Sequence, residues 1–214
     1  MRRPWNLDST CVICFRSEAC SKWVDCSGYG NHATLSGAVF KASGRRGDAM
    51  YFDGANDKLD ITDSVSLQSL TGFSMELWLY PKSIGGDASN RVIFTSGITA
   101  AGNFYARTAA ATAGQIDFRV TNDLTTLKNA VNNNFKPASE WHHVVCVYTG
   151  AAIIVYVDGT AGTPGAQTGT VSPTGNWKIS DSTTDYSGLI DEIRFYRRPL
   201  SADEILNLYM QGKP

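Results

Sequence analysis

The segment DCSGYGNH, from Asp25 to His32, concentrates side-chain oxygens and glycines in eight residues. Asp25, Ser27 and Asn31 offer carboxylate, hydroxyl and amide oxygens, which are the hard ligands that calcium prefers. The glycines on both sides of Tyr29 allow backbone carbonyls to turn inward. These residues alone leave three interpretations open: a calcium loop, half of a catalytic centre, or an Asx turn in which Asp25 caps its own loop backbone.

Catalytic chemistry is disfavoured because the acidic residues do not occur in suitable pairs. A retaining glycosidase needs two carboxylates about 5–5.5 Å apart, which residues two apart on one strand can provide. Asp191 and Glu192 are adjacent and would face opposite sides of a strand, while Glu76 stands alone in FSMELWLY. The adjacent His142 and His143 would likewise divide between two faces. No GxSxG, HExxH or P-loop pattern occurs, so the sequence predicts a protein without enzymatic activity.

Composition and charge restrict the range of partners. The chain has 214 residues and a formal net charge of -1, so bulk charge attracts neither nucleic acid nor an anionic membrane. No run of about 18 apolar residues is present to span a bilayer. Polar residues follow the N-terminal arginines where the apolar part of a signal peptide would lie, which predicts synthesis in the cytosol without a secretory signal.

The five cysteines are an odd number, which argues against a complete disulfide framework. Cys11 and Cys14 form a CxxC, but residues three apart on a strand face opposite sides, which disfavours a shared metal. Cys146 lies in the apolar run VVCVY and suits a buried position. Cys20 and Cys26 are spaced to approach across a turn, although free thiols in a reducing compartment are the simpler expectation.

The elements that must position these side chains are short strands. About eleven β-rich runs, among them FSMELWLY, WHHVVCVY and AIIVYVDG, are separated by turn-forming residues without intervening helices. This pattern predicts an all-β fold, a two-sheet antiparallel sandwich or barrel. Two glycine-rich segments, residues 100–114 and 160–175, are expected to be loops that project from it.

One short helix is predicted near the C-terminus, in SADEILNLYMQG. Ser201 and Glu204 form a capping box, in which each side chain accepts a hydrogen bond from the other residue's backbone N–H. Ile205, Leu208 and Tyr209 form an apolar stripe along one side of the helix. We expect the helix to pack on the sandwich by this stripe.

Four segments together resemble a known family: DCSGYGNHATLSG, AMYFDGANDKLDI, WHHVVCVYTGAAIIVYVDG and GLIDEIRFYRRPLSADEI. Their order and spacing are similar to the laminin-G-like jelly rolls of the concanavalin A-like lectin/glucanase superfamily. The resemblance implies two antiparallel sheets packed face to face, and we expect an arm at residues 1–10 followed by the sandwich at residues 11–214. Members of this family mostly bind glycans, matrix proteins or cell surfaces, and many carry a structural calcium.

The resemblance also implies a calcium site. In the family, the segments that contain Asp53 and Asp191 lie near the first loop at one edge of the sandwich. Three converging carboxylates repel one another unless a cation lies between them. We therefore expect one calcium ion, held by Asp25, Asn31, Asp53, Asp191 and a backbone carbonyl near Tyr29.

Glycan binding would require an exposed aromatic ring beside polar groups that bind sugar hydroxyls. Tyr105, Trp177 and Tyr186 lie in or beside glycine-rich loops and are the candidates, with core packing as the alternative. A stand-alone carbohydrate-binding lectin module is therefore one expected function.

A binding or decoration protein displayed on a virus particle is the other expected function and is ranked first. It rests on a binding domain without a signal peptide or catalytic neighbour, and on the arm MRRPWNLDST. Arg2, Arg3 and Trp5 would anchor this arm on another chain. The partners would be capsid proteins, further copies of the chain or surface glycans, and the location would be the virion surface.

Overall fold

The computed structural model describes residues 8–16, 22–37, 40–82, 90–97, 101–123, 127–136, 138–181 and 185–213. Arg2, Arg3, Trp5 and Cys20 lie outside these described residues, so the predicted arm and its anchors stay predictions. In chain order the strands are β1 (Cys11–Arg16), β2 (Lys22–Asp25), β3 (Ala33–Ser36), β4 (Phe40–Ser43), β5 (Asp48–Asp53), β6 (Lys58–Ile61), β7 (Phe73–Pro81), β8 (Arg91–Thr95), β9 (Phe104–Thr108), β10 (Ile116–Thr121), β11 (Leu127–Asn132), β12 (His142–Tyr148), β13 (Ala152–Val157), β14 (Thr160–Ala161), β15 (Gly165–Ala166), β16 (Trp177–Ile179) and β17 (Ser187–Tyr196). A short 3-10 helix spans Val65–Leu67, and one α-helix, α1, spans Ala202–Gly212.

The strands form two antiparallel sheets, which confirms the predicted sandwich. Sheet I runs β4–β5–β17–β7–β12–β13, with β1 beside the second half of β17. Sheet II runs β2–β3–β6–β16–β8–β9–β10–β11. The pairing of β1 with β2 joins the two sheets at one corner. This is the jelly-roll arrangement that the resemblance implies.

Strand β7 shows how the sequence creates an inner and an outer face. Phe73, Met75, Leu77 and Leu79 belong to the main core between the sheets, because successive side chains of a strand point to opposite faces. The alternate positions, Ser74, Glu76, Trp78 and Tyr80, therefore lie on the outer face of sheet I.

Helix α1 covers part of this outer face. The Ser201 hydroxyl accepts a hydrogen bond from the Glu204 backbone N–H, and the Glu204 side chain accepts one from the Ser201 backbone N–H, which confirms the capping box. Ile205 is buried and Leu208 packs against a second apolar cluster that contains Val145 and Val147 of β12. The helix is thus fixed on sheet I by the predicted stripe.

Two local expectations are corrected by the structure. Residues 100–114, expected to be a loop, contain β9, and residues 160–175 contain the short strands β14 and β15. Cys11 and Cys14 lie in the same apolar cluster beneath α1, not on opposite faces. The reason is a β-bulge between Cys11 and Ile13, which shifts the alternation of side chains along β1.

Candidate functional site

The Asp25 loop is held together by hydrogen bonds to the Asp25 carboxylate. Oδ1 accepts from the backbone N–H groups of Cys14 and Ser27, each at 2.9 Å. Oδ2 accepts from the Ser27 hydroxyl at 2.7 Å and from the Asn31 backbone N–H at 3.0 Å. Four donors therefore point at one buried carboxylate, which is the Asx-turn arrangement and leaves it surrounded by positive ends of dipoles.

The other residues of the predicted calcium loop have structural partners as well. The Asn31 amide donates to the backbone carbonyl of Val12 at 2.7 Å, and its oxygen accepts from the Ser64 hydroxyl at 2.6 Å. The Tyr29 ring is 51% exposed, and its hydroxyl donates to the Ser9 carbonyl. The loop therefore links the start of β1 to the segment before the 3-10 helix.

Asp53 and Asp191 lie in different surroundings from Asp25. Asp53 ends β5 opposite Ser187, whereas Asp191 lies four residues further along β17, a separation of about 13 Å along an extended strand. The Asp53 carboxylate accepts from the Ala55 backbone N–H, so it stabilises its own turn. Asp25 pairs with Phe15 in β1, at the other end of β17.

The expected calcium ligands therefore do not fit a common metal site. Among the residues that the structure describes, there is no group of three or more histidine, cysteine or acidic side chains that would hold a metal ion. The carboxylates of Asp25, Asp53 and Asp191 lie in separate places and each has its own hydrogen-bond donors. At Asp25, hydrogen bonds from the protein already occupy both oxygens that would otherwise bind a cation. Calcium binding stays a prediction from the sequence.

Asp191 is a buried acid that lies beside the turn between β4 and β5. Its Oδ2 accepts from the Arg46 backbone N–H at 3.0 Å, and its Oδ1 accepts from the Glu192 backbone N–H at 2.8 Å. Burial raises the pKa of Asp191 to about 6, and the neighbouring charge of Glu192 acts in the same direction, against these hydrogen bonds.

The three aromatic side chains proposed from sequence for sugar stacking are packed inside the protein. Trp177 is 2% exposed and packs edge-on against Phe104 and Phe195. Tyr186 is fully buried against Phe52, and Tyr105 is 5% exposed. None of these three rings presents a free face to a ligand, because each is packed in the core or under neighbouring side chains.

A different aromatic surface lines a cleft of about 440 Å³ between α1 and the outer face of sheet I. Trp78 and Tyr80 come from β7, Trp141 precedes β12, and Tyr209 comes from α1. The cleft also has charged and polar side chains: Arg45, Lys136, Glu140, His142, Asp158 and Lys213.

The aromatic rings of the cleft are held in a layered arrangement. Trp78 is buried and stacks on Tyr209, with ring centroids 6.2 Å apart. Arg45 lies over the Trp78 ring at 4.8 Å, a cation–π contact. Tyr80 and Trp141, both half-buried, meet edge to face at 5.6 Å. Rings fixed in this way present their outer faces at little entropic cost to a ligand.

Two glycines allow α1 to approach sheet I closely enough to form the cleft. A Cβ atom on Gly212, the last residue of α1, would lie 2.3 Å from the Trp78 ring. Gly159, in the turn after β13, has φ +78 and would place a Cβ 3.0 Å from Leu206. The Arg45 guanidinium donates to the Gly212 carbonyl, which ties the β4–β5 turn to the C-terminus of the helix.

Both carboxylate oxygens of Asp158 make hydrogen bonds within the protein. Its Oδ2 lies 2.8 Å from His142 Nδ1, and its Oδ1 accepts from the His143 backbone N–H at 2.8 Å. Asp158 adopts a left-handed backbone conformation with φ 50, and these two contacts hold it there. Both oxygens are therefore occupied at the wall of the cleft.

A buried polar network lies beside the cleft, beneath α1. Arg194 Nη1 donates to Glu76 Oε1 at 2.8 Å, Tyr196 donates to Glu76 Oε2 at 3.2 Å, and His143 Nε2 lies 3.3 Å from Glu76 Oε1. Burial alone would raise the pKa of Glu76, but the charge of Arg194 and the contact with His143 lower it to about 2. Histidine, tyrosine and arginine thus gather on one face, yet they are sealed from solvent.

The cleft residues were not identified as site residues in the sequence, although a signal for them exists. In FSMELWLY, Trp78 and Tyr80 alternate with the core residues Leu77 and Leu79, which places two aromatic rings on the outer face. Tyr209 belongs to the helical stripe that packs on that same face. Trp141 and the β4–β5 turn reach the cleft only through the tertiary fold.

The architecture is a lectin-like jelly roll, and comparison with known proteins agrees. Residues 53–206, more than half of the chain, match the family described as the concanavalin A-like lectin/glucanases superfamily. The chain therefore belongs to this superfamily. No curated protein sequence matches the chain.

Solved structures with the same fold include several that are described as binding domains. The receptor-binding domain of botulinum neurotoxin C/D mosaic serotype has a TM-score of 0.80 at 13% identity, covering 96% of this chain and 52% of that one. The ligand-binding domain of botulinum neurotoxin serotype D, solved with N-acetylneuraminic acid, has a TM-score of 0.80 at 12% identity, with 95% and 51% coverage. The binding domain of paraclostridial mosquitocidal protein 1 has a TM-score of 0.76 at 11% identity, with 94% and 52% coverage.

The chain spans about half the length of these solved domains. At such low identity the likeness establishes the fold alone. Within the described residues, no helix has the length and apolar character needed to cross a membrane.

Proposed function

We propose that this domain binds carbohydrate without altering it chemically, and that the ligand occupies the cleft between α1 and sheet I. The observation that carries the proposal is the set of half-buried rings of Tyr80, Trp141 and Tyr209 around charged and hydrogen-bonding side chains. Sugar sites combine an aromatic face, on which the C–H groups of a pyranose pack, with polar groups that bind the hydroxyls.

The size of the cleft suits a short glycan. Its volume of about 440 Å³ lies near the lower end of the range of about 300–1,000 Å³ found for small-molecule sites. One or two sugar rings would fill such a space.

The charges of the cleft favour an acidic glycan. Three cationic side chains, Arg45, Lys136 and Lys213, line it together with two acids, Glu140 and Asp158. Asp158 is already engaged by His142 and the His143 backbone, so its charge is partly compensated within the protein. Lys136 and Lys213 are exposed and make no ion pair within the part of the chain that the structure describes, so they are available to a carboxylate or sulfate.

The comparisons support a binding role without establishing it. The three similar solved domains are described as binding, receptor-binding or ligand-binding domains, and one of them was solved with N-acetylneuraminic acid, an acidic sugar. A non-catalytic role is further supported by the engagement of Asp158, in the wall of the cleft, and of Glu76, in the buried network beside it. Glu76 is sealed with Arg194, and both oxygens of Asp158 accept hydrogen bonds from the protein.

Display on a virus particle stays a prediction, because the arm that motivates it lies outside the described residues. The expected partner contacts of Arg2, Arg3 and Trp5 stay predictions for the same reason. The carbohydrate proposal depends on neither.

The experiment is a glycan array followed by calorimetric titration with sialyllactose and with lactose. We expect selective binding of acidic glycans, and a loss of about tenfold in affinity for Trp141→Ala and Tyr80→Ala, since an aromatic stacking contact is worth about 0.5–1.5 kcal/mol beyond the apolar area that it buries. Tyr29→Ala is the matched control, because Tyr29 is the exposed aromatic side chain of the Asp25 loop, away from the cleft.

The proposal is wrong if the array shows no glycan binding, or if Tyr29→Ala weakens binding as much as Trp141→Ala does. Melting curves of all variants must match that of the natural sequence for the affinities to be compared.

A further inference from the structure

Two cysteines meet where β1 pairs with β2. Cys14 lies in β1 and Cys26 directly follows β2, and their Sγ atoms are 2.7 Å apart. The backbone N–H of Cys26 donates to the carbonyl of Cys14 at 2.8 Å, so the two residues face each other across the strands. Neither cysteine is part of a disulfide in this structure.

We propose that Cys14 and Cys26 form a reversible disulfide that joins β1 to β2. A disulfide bond measures about 2.05 Å between sulfurs, so a movement of about 0.7 Å closes the bond from the observed separation. The pair was not expected from the sequence, where Cys20 was the proposed neighbour of Cys26.

The surrounding hydrogen bonds fix this pair before oxidation. Asp25 lies next to Cys26 and accepts from the backbone N–H of Cys14 at 2.9 Å. Together with the Cys26–Cys14 backbone bond, this anchors both ends of the prospective disulfide. Preorganised ends lower the entropic cost of closing it.

The two sulfurs differ in access, which sets the order of the reaction. Cys26 is exposed and Cys14 is buried. The oxidant is a low-molecular-weight disulfide such as oxidised glutathione. The Cys26 thiolate attacks it, forming a mixed disulfide and releasing one glutathione thiolate. Cys14 then gives up its proton to water and attacks the Cys26 sulfur, which releases the second glutathione thiolate.

In the overall reaction, the two protein thiols lose two electrons and two protons and become a disulfide. These electrons and protons reduce one glutathione disulfide to two glutathione thiols. The contact with Cys26 and burial both raise the pKa of Cys14 well above its ordinary value, so the second step is expected to be the slower one and to accelerate with rising pH.

The bond would link the two sheets of the sandwich. β1 belongs to sheet I through β17, and β2 belongs to sheet II through β3. It would also hold the Asp25 loop at its second residue, Cys26. Cys11, Cys14 and Cys146 are buried, so among the described thiols the exposed Cys26 is the one that the oxidant reaches first.

The test uses the full chain, reduced and then equilibrated with oxidised glutathione. Alkylation in denaturant should then find two of the five thiols protected. Trypsin cuts after Arg16 and Lys22, which places Cys14, Cys20 and Cys26 on three different peptides. Mass spectrometry should find the Cys14 and Cys26 peptides linked, with fragmentation separating Cys14 from Cys11.

Single-cysteine variants identify which residues form the disulfide. Cys26→Ser should abolish the linked peptide while keeping the melting temperature of the reduced protein, because this side chain is exposed. Cys20→Ser is the matched control and should retain the link. Oxidation should raise the melting temperature of the natural sequence and of Cys20→Ser by about 5–10 °C, as expected for a short closed loop, and that of Cys26→Ser by none. Five free thiols after oxidation, or a link from Cys26 to Cys20 or to a second chain, would overturn the proposal.

Discussion

The guanidinium of Arg194 lies opposite the carboxylate of Glu76 across β17 and β7, with Arg194 Nη1 2.8 Å from Glu76 Oε1. Both side chains are buried beneath α1, at 4% and 1% exposure. Glu192 also contacts Arg194, and Tyr196 donates to Glu76, so the two opposite charges have partners on several sides. Because both charges have partners, the pair can be buried without a large cost in free energy. Either charge buried without the other would be strongly destabilising.

Removing one charge of this pair should destabilise the fold strongly. Glu76→Gln keeps the shape of the side chain but leaves Arg194 without its main counter-charge in a buried site, and we expect a loss of about 3–5 kcal/mol in the free energy of unfolding. Urea denaturation at neutral pH measures it. Glu204→Gln, at the half-exposed pair with Arg198, is the control and should cost about 1 kcal/mol or less. Equal losses for the two variants would contradict this account of Glu76.

The cationic side chains of the cleft should control affinity for acidic glycans through charge. Lys213→Glu is expected to weaken binding of an acidic glycan by about tenfold at low salt while changing binding of its neutral counterpart little. The same affinity should fall as salt is raised from about 0.05 to 0.5 M, because solvent-exposed charges are screened. Titration calorimetry measures both effects.

Lys178→Glu supplies the control for this charge reversal. Lys178 lies on β16 of sheet II and pairs with Asp181, away from the cleft. If Lys178→Glu reduces glycan affinity as much as Lys213→Glu, bulk charge and not the cleft is responsible.

Much of the fold was predictable because one physical pattern dominates it. Strands such as β7 and β12 carry apolar side chains on the face between the sheets, and the capping box of α1 is a local signal that tertiary contacts do not override. The strands that were missed are different. Leu127–Asn132 was not among the predicted strands, because its first three residues are exposed and its polar residues leave it without the apolar alternation of β7.

The site was less predictable because its parts are distant in sequence. Trp177 and Tyr186 lie beside turn-forming residues, which favours exposure, but Trp177 of β16 and Tyr186, directly before β17, both belong to the core. Trp141 and Tyr209 are brought together only when α1 folds back on sheet I. A loop aspartate caps its own turn when the surrounding backbone N–H groups point at its carboxylate, and it is free to bind a cation when they do not. The spacing of residues in the sequence does not give the direction of these N–H groups.

Asp25 provides a direct test of the calcium expectation. Asp25→Ala removes the acceptor for three backbone N–H groups and the Ser27 hydroxyl, and we expect a loss of about 2–3 kcal/mol, since buried donors without partners are costly. A chelator should leave the melting temperature of the natural sequence unchanged, because the carboxylate is already satisfied. Thermal melting with EDTA and with added calcium measures this.

Asp53→Ala is the comparison, since that exposed carboxylate accepts from the Ala55 backbone N–H in its own turn, and it should cost less than Asp25→Ala. A melting temperature that rises with calcium in the natural sequence and not in Asp25→Ala would instead show that the loop binds the cation.

The buried Asp191 should make stability fall as pH rises. Its pKa is about 6 in the folded protein, against 3.8 for the free side chain, so the folded state binds the proton more tightly than the unfolded state. The contribution to stability is present below about pH 4 and is lost as pH rises through 6. Between pH 4.5 and 8 the loss amounts to about 2 kcal/mol.

Asp191→Asn removes this titration and should therefore gain about 2 kcal/mol relative to the natural sequence between pH 4.5 and 8. Urea denaturation at several pH values in this range measures the difference, and pH 4.5 is the lower limit because Glu76 and Glu204, whose pKa values are lowered to about 2, lose their contribution below it. Asp203→Asn, an exposed position in the first turn of α1, is the control. A difference between Asp191→Asn and the natural sequence that does not change with pH would show that burial does not hold the Asp191 proton.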